Sequence, residues 1–231
     1  MERQTETLDG IAILGEMTPA QRRALATRCA WREFKSKQVI VSHQEPSRNV
    51  YFLVRGKARA IIYSAAGRQV TFRDIQMGEM FGEFAAIDGE PRSASVEASQ
   101  KCLIATMTPE LFWEVLRNHP EVAGALLKRL TRQVRTLSER IYEFSTLAVR
   151  NRIHAELLRL AEAVKPEAGR AVLYPAPTHA DIASRISTQR ETVTRELSEM
   201  AETGVIEQHG RSLVVKDIEE LRRRVHDVAE H

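Results

Sequence analysis

Residues 81–94 carry the side chains best suited to binding a small phosphorylated ligand. Gly82 lets backbone approach a ligand closely, and a helical turn after it would direct free N–H groups at an anion. Arg92 offers a planar cation that can make two hydrogen bonds to a phosphate, and Ser93 adds a hydroxyl. Glu83 only accepts hydrogen bonds when ionised, so it suits a sugar hydroxyl. Singly, each residue also fits a surface hairpin with a solvated arginine, but together they favour a ligand site.

A second polar stretch, residues 178–197, has the periodicity of two short helices. Capping boxes at Thr178 and Asp181 and at Thr188 and Glu191 predict two helix starts ten residues apart. Their shared apolar core is predicted to contain Ile182, Ala183, Ile186, Val193 and Leu197. The polar side chains predicted to point outward from the second helix are Gln189, Arg190, Glu191, Thr194 and Arg195.

This outward face can read base edges in DNA. Arginine donates to guanine O6 and N7, and glutamate accepts from the amino group of cytosine. The alternative is a helical hairpin whose charges are only solvated. We favour a helix-turn-helix followed by a hairpin wing over residues 205–215 that turns at His209-Gly210. From Ala148 onward the chain has 13 Lys or Arg and 14 Asp or Glu, so phosphate contacts must come from placed cations such as Arg190, Arg195, Arg211 and Lys216.

The elements that must position the first site are short strands. Between residues 31 and 107 the β-favouring runs are 38–41, 50–54, 58–63, 70–72, 95–98 and 102–105. The turn residues that separate them include Gly56, Gly67, Gly78 and Gly89. This pattern predicts a jelly roll. Thr18-Pro19 before it and Thr108-Pro109 after it are typical helix starts.

A longer helix is predicted from Pro120. Its apolar residues recur at spacings of three and four: Leu127, Leu130, Val134, Leu137, Ile141 and Phe144. Such a narrow stripe packs either on its own domain or on a second copy, and we favour a parallel homodimer. The sequence thus predicts an α+β protein with a β-roll in residues 1–119, a dimerisation helix in 120–145 and a winged helix-turn-helix in 146–231.

Composition limits the classes of protein to which this chain can belong. The 231 residues carry a net charge of +3, are 43% apolar and 28% charged, and contain no run of about 18 apolar residues. Cys29 and Cys102 lie far from any second cysteine or histidine at metal-ligand spacing. The histidines are scattered, without a catalytic motif beside them: His43, His119, His154 and His179. We therefore expect a cytoplasmic protein that is neither membrane-bound nor an enzyme and holds no metal.

The run F-G-E-F-A-A-I-D-G-E-P-R-S-A at residues 81–94 resembles the phosphate-binding cassette of cyclic-nucleotide-binding domains. R-E-T-V-T-R at residues 190–195 is similar to a recognition helix of the family named for the cyclic-AMP receptor protein and the fumarate-nitrate regulator. The resemblance spans nearly the whole chain. It implies that Glu83 binds the ribose 2′-hydroxyl and that Arg92 and Ser93 bind the cyclic phosphate. The other ligand-site positions that it implies are Gly82, Phe84, Ala85, Ala94, Leu137 and Ser138.

The same resemblance implies the partners. A cyclic nucleotide, first of all cyclic AMP, would be the effector of a homodimer that binds an inverted-repeat operator with TGTGA-like half-sites and contacts RNA polymerase. Arg190, Glu191 and Arg195 would read bases. The other positions placed at DNA are Thr178, His179, Thr188, Gln189, Thr194 and Arg211.

Departures from the family pattern leave alternatives open. Leu137 replaces a threonine that contacts adenine, so cyclic GMP stays open as the effector although Ser138 keeps the serine. Ser187 replaces a glycine in the turn, and His179 replaces an arginine that meets phosphate. A cyclic-nucleotide sensor that does not bind DNA is a second class. A redox or haem sensor is a third, which the two isolated cysteines argue against.

Overall fold

The structure, a computed structural model, describes residues 6–64, 67–164 and 166–226. The helices are α1 (Pro19–Ala26), α2 (Glu83–Asp88), α3 (Pro109–Asn118), α4 (Pro120–Thr146), α5 (Val149–Ala163), α6 (His179–Arg185), α7 (Arg190–Glu202) and α8 (Ile218–His226). The strands are β1 (Ala30–Phe34), β2 (Val39–Val41), β3 (Val50–Arg55), β4 (Ala58–Tyr63), β5 (Gln69–Ile75), β6 (Met80–Phe81), β7 (Ser95–Ala98), β8 (Cys102–Met107), β9 (Ala171–Leu173), β10 (Ile206–His209) and β11 (Ser212–Val215).

The N-terminal strands form a β-sandwich, as predicted. Two four-stranded sheets have the orders β1-β8-β3-β6 and β2-β7-β4-β5, and their paired strands are antiparallel. Tyr51 and Leu53 pack in a core cluster to which both sheets contribute, whereas Val50 and Phe52 pack against α1, α3 and the first part of α4. Successive side chains of a strand point to opposite faces. Residues 50–54 of β3 are therefore all aliphatic or aromatic, because both faces of the strand are covered.

Helix starts at prolines are confirmed at α1 and α3. The Thr18 hydroxyl accepts from the backbone N–H of Gln21, whose side chain accepts from the backbone N–H of Thr18. The Thr108 hydroxyl likewise accepts from Leu111 N–H at 3.3 Å. Each cap satisfies donors that have no partner inside the helix.

The C-terminal part is a winged helix-turn-helix. Antiparallel strands in the order β10-β11-β9 pack with α5, α6, α7 and α8 around one core cluster. That cluster contains all of the predicted core residues, namely Ile182, Ala183, Ile186, Val193 and Leu197. The chain divides into two compact units, Met1–Val134 and Arg135–His231, whose boundary falls inside α4.

Two local predictions were wrong. Thr188 does not cap α7: the helix begins at Arg190 after Gln189, because Thr188 N–H still donates to Ala183 O within the turn. The wing turns at Gly210-Arg211, one residue later than predicted, since His209 is paired with Ser212 in the strand register.

The turn between α6 and α7 contains a left-handed residue. Ser187 has a φ of 53°, a conformation that costs an ordinary L-residue free energy and that glycine adopts readily. This is the position at which the family resemblance expects glycine. The turn geometry is therefore kept although the residue differs.

Both cysteines are buried. Burial raises the pKa of the Cys29 thiol to about 11 and also raises the pKa of Cys102, which donates to Lys57 O at 3.2 Å. The thiolate is the reactive form, so both are poor nucleophiles at neutral pH. Among the described residues, no group of three or more His, Cys, Asp or Glu side chains is placed to hold a metal ion.

We find no helix within residues 6–64, 67–164 and 166–226 whose length and hydropathy would let it span a bilayer.

Candidate functional site

The backbone at the start of the cassette requires glycine. Gly82 has a φ of 80° and directly precedes α2. A Cβ atom placed there would lie 2.7 Å from Nη1 of Arg92 and 3.0 Å from Asn49 O. A side chain at residue 82 would therefore displace the arginine that the sequence assigns to phosphate binding.

Arg92 is a buried cation held by neutral groups. It is 3% exposed and donates to Gly82 O at 2.7 Å, to Asn49 O at 2.8 Å and to the Ser47 hydroxyl at 3.1 Å. Its guanidinium also lies 5.4 Å from the centroid of the Tyr51 ring. Burial lowers the pKa of Arg92. Its guanidinium forms no ion pair with a carboxylate of the described residues. Because a buried positive charge without a counter-ion is costly, an anion bound here would be stabilised.

Glu83 is a buried carboxylate next to the same glycine. It is 3% exposed, and its nearest cation is Nη2 of Arg129 at 3.9 Å, which is too long for a hydrogen bond. Arg129 itself donates to Met80 O at 2.7 Å and pairs with Glu79 at 3.3 Å. Arg73 pairs with Glu79 from the other side at 3.3 Å. A hydroxyl donor would give the Glu83 oxygens the hydrogen bond that they do not receive from any described residue.

The other cassette residues lie at different depths. Ala85 is buried and Ala94 is half-buried, whereas Phe84 and Ser93 are exposed. The structure thus brings Gly82, Glu83 and Arg92 together below the surface. Their supporting residues were not predicted: Ser47, Asn49, Tyr51, Glu79 and Arg129.

Sequence distance explains why these supporting residues were missed. Ser47 and Asn49 lie 45 and 43 residues before Arg92, in a loop without a motif of its own. Arg129 lies on α4, where the apolar spacing gave no reason to single it out. The β-sandwich brings together residues that are far apart in the sequence. Such contacts leave no local sequence signal.

Leu137 and Ser138 lie on the part of α4 that belongs to the unit Arg135–His231. Both are exposed. Their proposed contact with a nucleobase stays a prediction.

The long helix carries an exposed apolar stripe. Large apolar side chains of α4 that remain exposed at stripe positions are Leu127, Val134, Leu137, Ile141 and Phe144. Val134 is 62% and Ile141 is 67% exposed. Leu130 is the exception, because it is partly buried against the N-terminal core. A continuous apolar stripe at heptad spacing is the type of surface that pairs with a second helix.

The start of α7 presents unpaired charges. Gln189, Arg190, Glu191, Thr194 and Arg195 are all exposed, as predicted. Arg190, Glu191 and Arg195 form no ion pair within the described residues. Other arginines of the same unit are paired, such as Arg150 with Glu196 at 3.0 Å. The charges at the start of α7 are thus available to a polar partner.

The remaining candidate DNA residues already have partners. The Thr178 hydroxyl accepts from Asp181 N–H at 3.1 Å and caps α6. His179 Nδ1 lies 2.7 Å from the Thr194 hydroxyl, which links the two helices. Thr188 is half-buried in the turn. Arg211 is exposed in the wing turn, with its guanidinium 6.0 Å from the Tyr174 ring.

Two domain families match this chain. The cyclic nucleotide-binding domain matches residues 31–119, and the Crp-like helix-turn-helix domain matches residues 151–224. The first match contains the cassette with Glu83 and Arg92, and the second contains α6, α7 and the wing.

Two curated proteins are similar to this chain over most of its length. The cAMP-activated global transcriptional regulator CRP of Salmonella typhimurium is 26% identical over 195 residues, which cover 82% of this chain and 90% of that protein. A CRP-like cAMP-activated global transcriptional regulator of Mycobacterium tuberculosis is 26% identical over 220 residues, 95% of this chain and 98% of its own.

A solved structure has the same architecture. A CRP/FNR-family transcriptional regulator of Thermus thermophilus superposes with a TM-score of 0.68 at 26% identity, over 85% of this chain and 98% of that one. Together with the two domain matches and the curated relatives, this places the chain in the CRP/FNR family of DNA-binding transcription regulators, as a member with a cyclic-nucleotide-binding domain.

Proposed function

We propose that the protein is a homodimer whose binding to an operator is controlled by a cyclic nucleotide, with cyclic AMP as the effector. The observation that carries this proposal is the presence of two buried side chains of opposite charge, Arg92 and Glu83, that form no ion pair with each other. Arg92 is a cation hydrogen-bonded only to neutral groups, and Glu83 is a carboxylate without a hydrogen bond from any described residue. A cyclic phosphate and a ribose hydroxyl complement these two charges in one small molecule.

We favour cyclic AMP over cyclic GMP as the effector because both relatives described above are named as cAMP-activated. Cyclic GMP is the second candidate, since Leu137 stands where the family has a threonine that contacts adenine. The nucleotide would supply the signal, and the residues of this chain would bind and orient it.

The exposed stripe on α4 supports the homodimer. Val134, Leu137 and Ile141 recur at heptad spacing, and a parallel copy of the same helix would cover them. A two-fold axis along α4 would present two recognition helices to DNA. The operator should then be an inverted repeat of TGTGA-like half-sites with centres one helical turn apart.

A contact network connects the C-terminal part of α4 to the helix-turn-helix. Arg140 of α4 donates to Glu156 of α5 at 3.1 Å and to Arg185 O at the end of α6, also at 3.1 Å. Glu156 is 1% exposed and also accepts from Arg159. Breaking a buried ion-pair network is costly, so α6 should follow α4 when α4 moves. A ligand that changes how the α4 helices pair would thereby reorient the recognition helices.

Unpaired side chains at the start of α7 support DNA reading and count against a sensor that does not bind DNA. Arg190 and Arg195 would donate to guanine, and Glu191 would accept from cytosine.

As a transcription regulator of this family, the protein is proposed to act in the cytoplasm together with RNA polymerase.

We expect Glu191→Ala to relax the preference at one base pair by about 1–3 kcal/mol, because Glu191 is proposed to contact a base. Arg211→Ala is the matched change in the wing. It should weaken binding to all sequences alike and lower the salt slope by about one, because Arg211 is proposed to contact a phosphate. Fluorescence anisotropy with a panel of single-base operator variants at several salt concentrations measures both. Uniform weakening by Glu191→Ala would remove this residue from base reading.

A further inference from the structure

Two buried polar atoms on α4 have no hydrogen-bond partner in the part of the chain that the structure describes. They are Oε1 of Gln133 and Nε of Arg129. The great majority of buried polar atoms are hydrogen-bonded, so an orphaned pair on one helix calls for an explanation. Residues 129 and 133 are one turn apart and share a face of the helix. That face contains an unused acceptor and an unused donor.

This face of α4 is next to the cassette. Arg129 donates to Met80 O at 2.7 Å, and its Nη2 atom lies 3.9 Å from Glu83. Gln133 belongs to the same compact unit, Met1–Val134. Four residues of helix advance by about 6 Å. A residue this far along α4 from Arg129 is within reach of a nucleotide whose ribose is held at Glu83.

The chemistry of Gln133 selects between purines. Its orphaned Oε1 needs a donor, which the N6 amino group of adenine supplies, while its amide N–H can donate to N7. Guanine presents two acceptors, O6 and N7, at the same edge, so Oε1 would face an oxygen. The wrong base would leave the buried acceptor unpaired.

We propose that Gln133 reads the nucleobase of the bound nucleotide and selects adenine. This inference rests on the cyclic-nucleotide function proposed above. It provides a polar contact to adenine in a protein that has Leu137 in place of the adenine-contacting threonine. Arg129 acts as a positioning residue, because it ties α4 to Met80 O and lies beside Glu83.

Calorimetric titration of the full chain with cyclic AMP and with cyclic GMP tests the proposal. In Gln133→Met, which keeps the side-chain length and removes the amide, the ratio of cyclic AMP affinity to cyclic GMP affinity should fall about 5- to 150-fold, because cyclic AMP loses a contact that cyclic GMP does not make. Gln133→Glu keeps an acceptor for the amino group and should lose less cyclic AMP affinity than Gln133→Met. Lys128→Met, an exposed change on the same helix, should leave the selectivity ratio unchanged.

The possible results separate base reading by Gln133 from the cyclic-nucleotide function itself. A fall in the cyclic AMP to cyclic GMP ratio in Gln133→Met alone supports the assignment. A ratio that stays within threefold of the parent, or a parent that prefers cyclic GMP, overturns it and leaves the cyclic-nucleotide function standing. A parent that binds neither nucleotide overturns the proposed function and this inference with it. A purely structural role for Gln133 would weaken both nucleotides alike.

Discussion

Arg92→Ala is expected to weaken cyclic-nucleotide binding by about 2–5 kcal/mol, the range for removing one partner of a buried charge pair. The guanidinium is 3% exposed and pairs with no carboxylate among the described residues, so the proposed phosphate would lose its cation. Isothermal titration calorimetry with cyclic AMP measures the loss.

Two controls separate loss of binding from loss of structure. Arg92 also donates to Gly82 O and Asn49 O, so thermal unfolding of the variant must be followed by circular dichroism. Arg92→Lys keeps a charge without the planar fork and should bind with intermediate affinity. Arg68→Ala removes an exposed arginine of the same unit and should bind like the parent. A folded Arg92→Ala protein with parental affinity would show that the phosphate binds elsewhere.

The second large effect is expected for Ile141→Glu, which should dissociate the dimer. Burying an apolar side chain contributes about 1.5–3 kcal/mol, and the substitution removes two copies from one interface, so roughly 3–6 kcal/mol should be lost. The introduced carboxylates would add to this loss if they remained buried and unpaired. Sedimentation velocity over a range of protein concentrations measures the shift toward monomer.

Tyr142→Glu is the matched control for this prediction. Tyr142 is 65% exposed, directly follows Ile141 and lies outside the heptad positions of the stripe. Its substitution should leave the dimer intact. Equal dissociation by both variants, or a dimeric Ile141→Glu protein, would contradict the assignment of the stripe to the dimer interface.

Much of the fold could be predicted because its signals are local. The cap at Thr18 and the prolines at residues 19, 109 and 120 each mark a helix start that the structure contains. The β-favouring runs 58–63 and 95–98 predicted β4 and β7 with their observed bounds, and burial alternates along β7 as its residue types do. β6 was missed because two residues carry no periodicity.

The candidate site contains contacts that local sequence patterns do not predict. Gly82, Glu83 and Arg92 lie within one motif, so they were recognised together. The carbonyl of Asn49 and the guanidinium of Arg129 reach the same place from distant segments. The cap at Thr188 failed for a related reason. The Thr188 N–H donates to Ala183 O in the turn that contains the left-handed Ser187, so it is not free to complete a capping box with Glu191.

Reciprocal coupling between nucleotide and operator shows whether a cyclic nucleotide controls operator binding by this protein. The probe is a duplex with two TGTGA half-sites in inverted repeat, and its affinity is measured with and without cyclic AMP. Calorimetry then gives the affinity for cyclic AMP with and without that duplex. We expect the same factor in both experiments, about 5- to 150-fold, because coupling free energy is reciprocal. Equal cyclic AMP affinity with and without bound operator would contradict it.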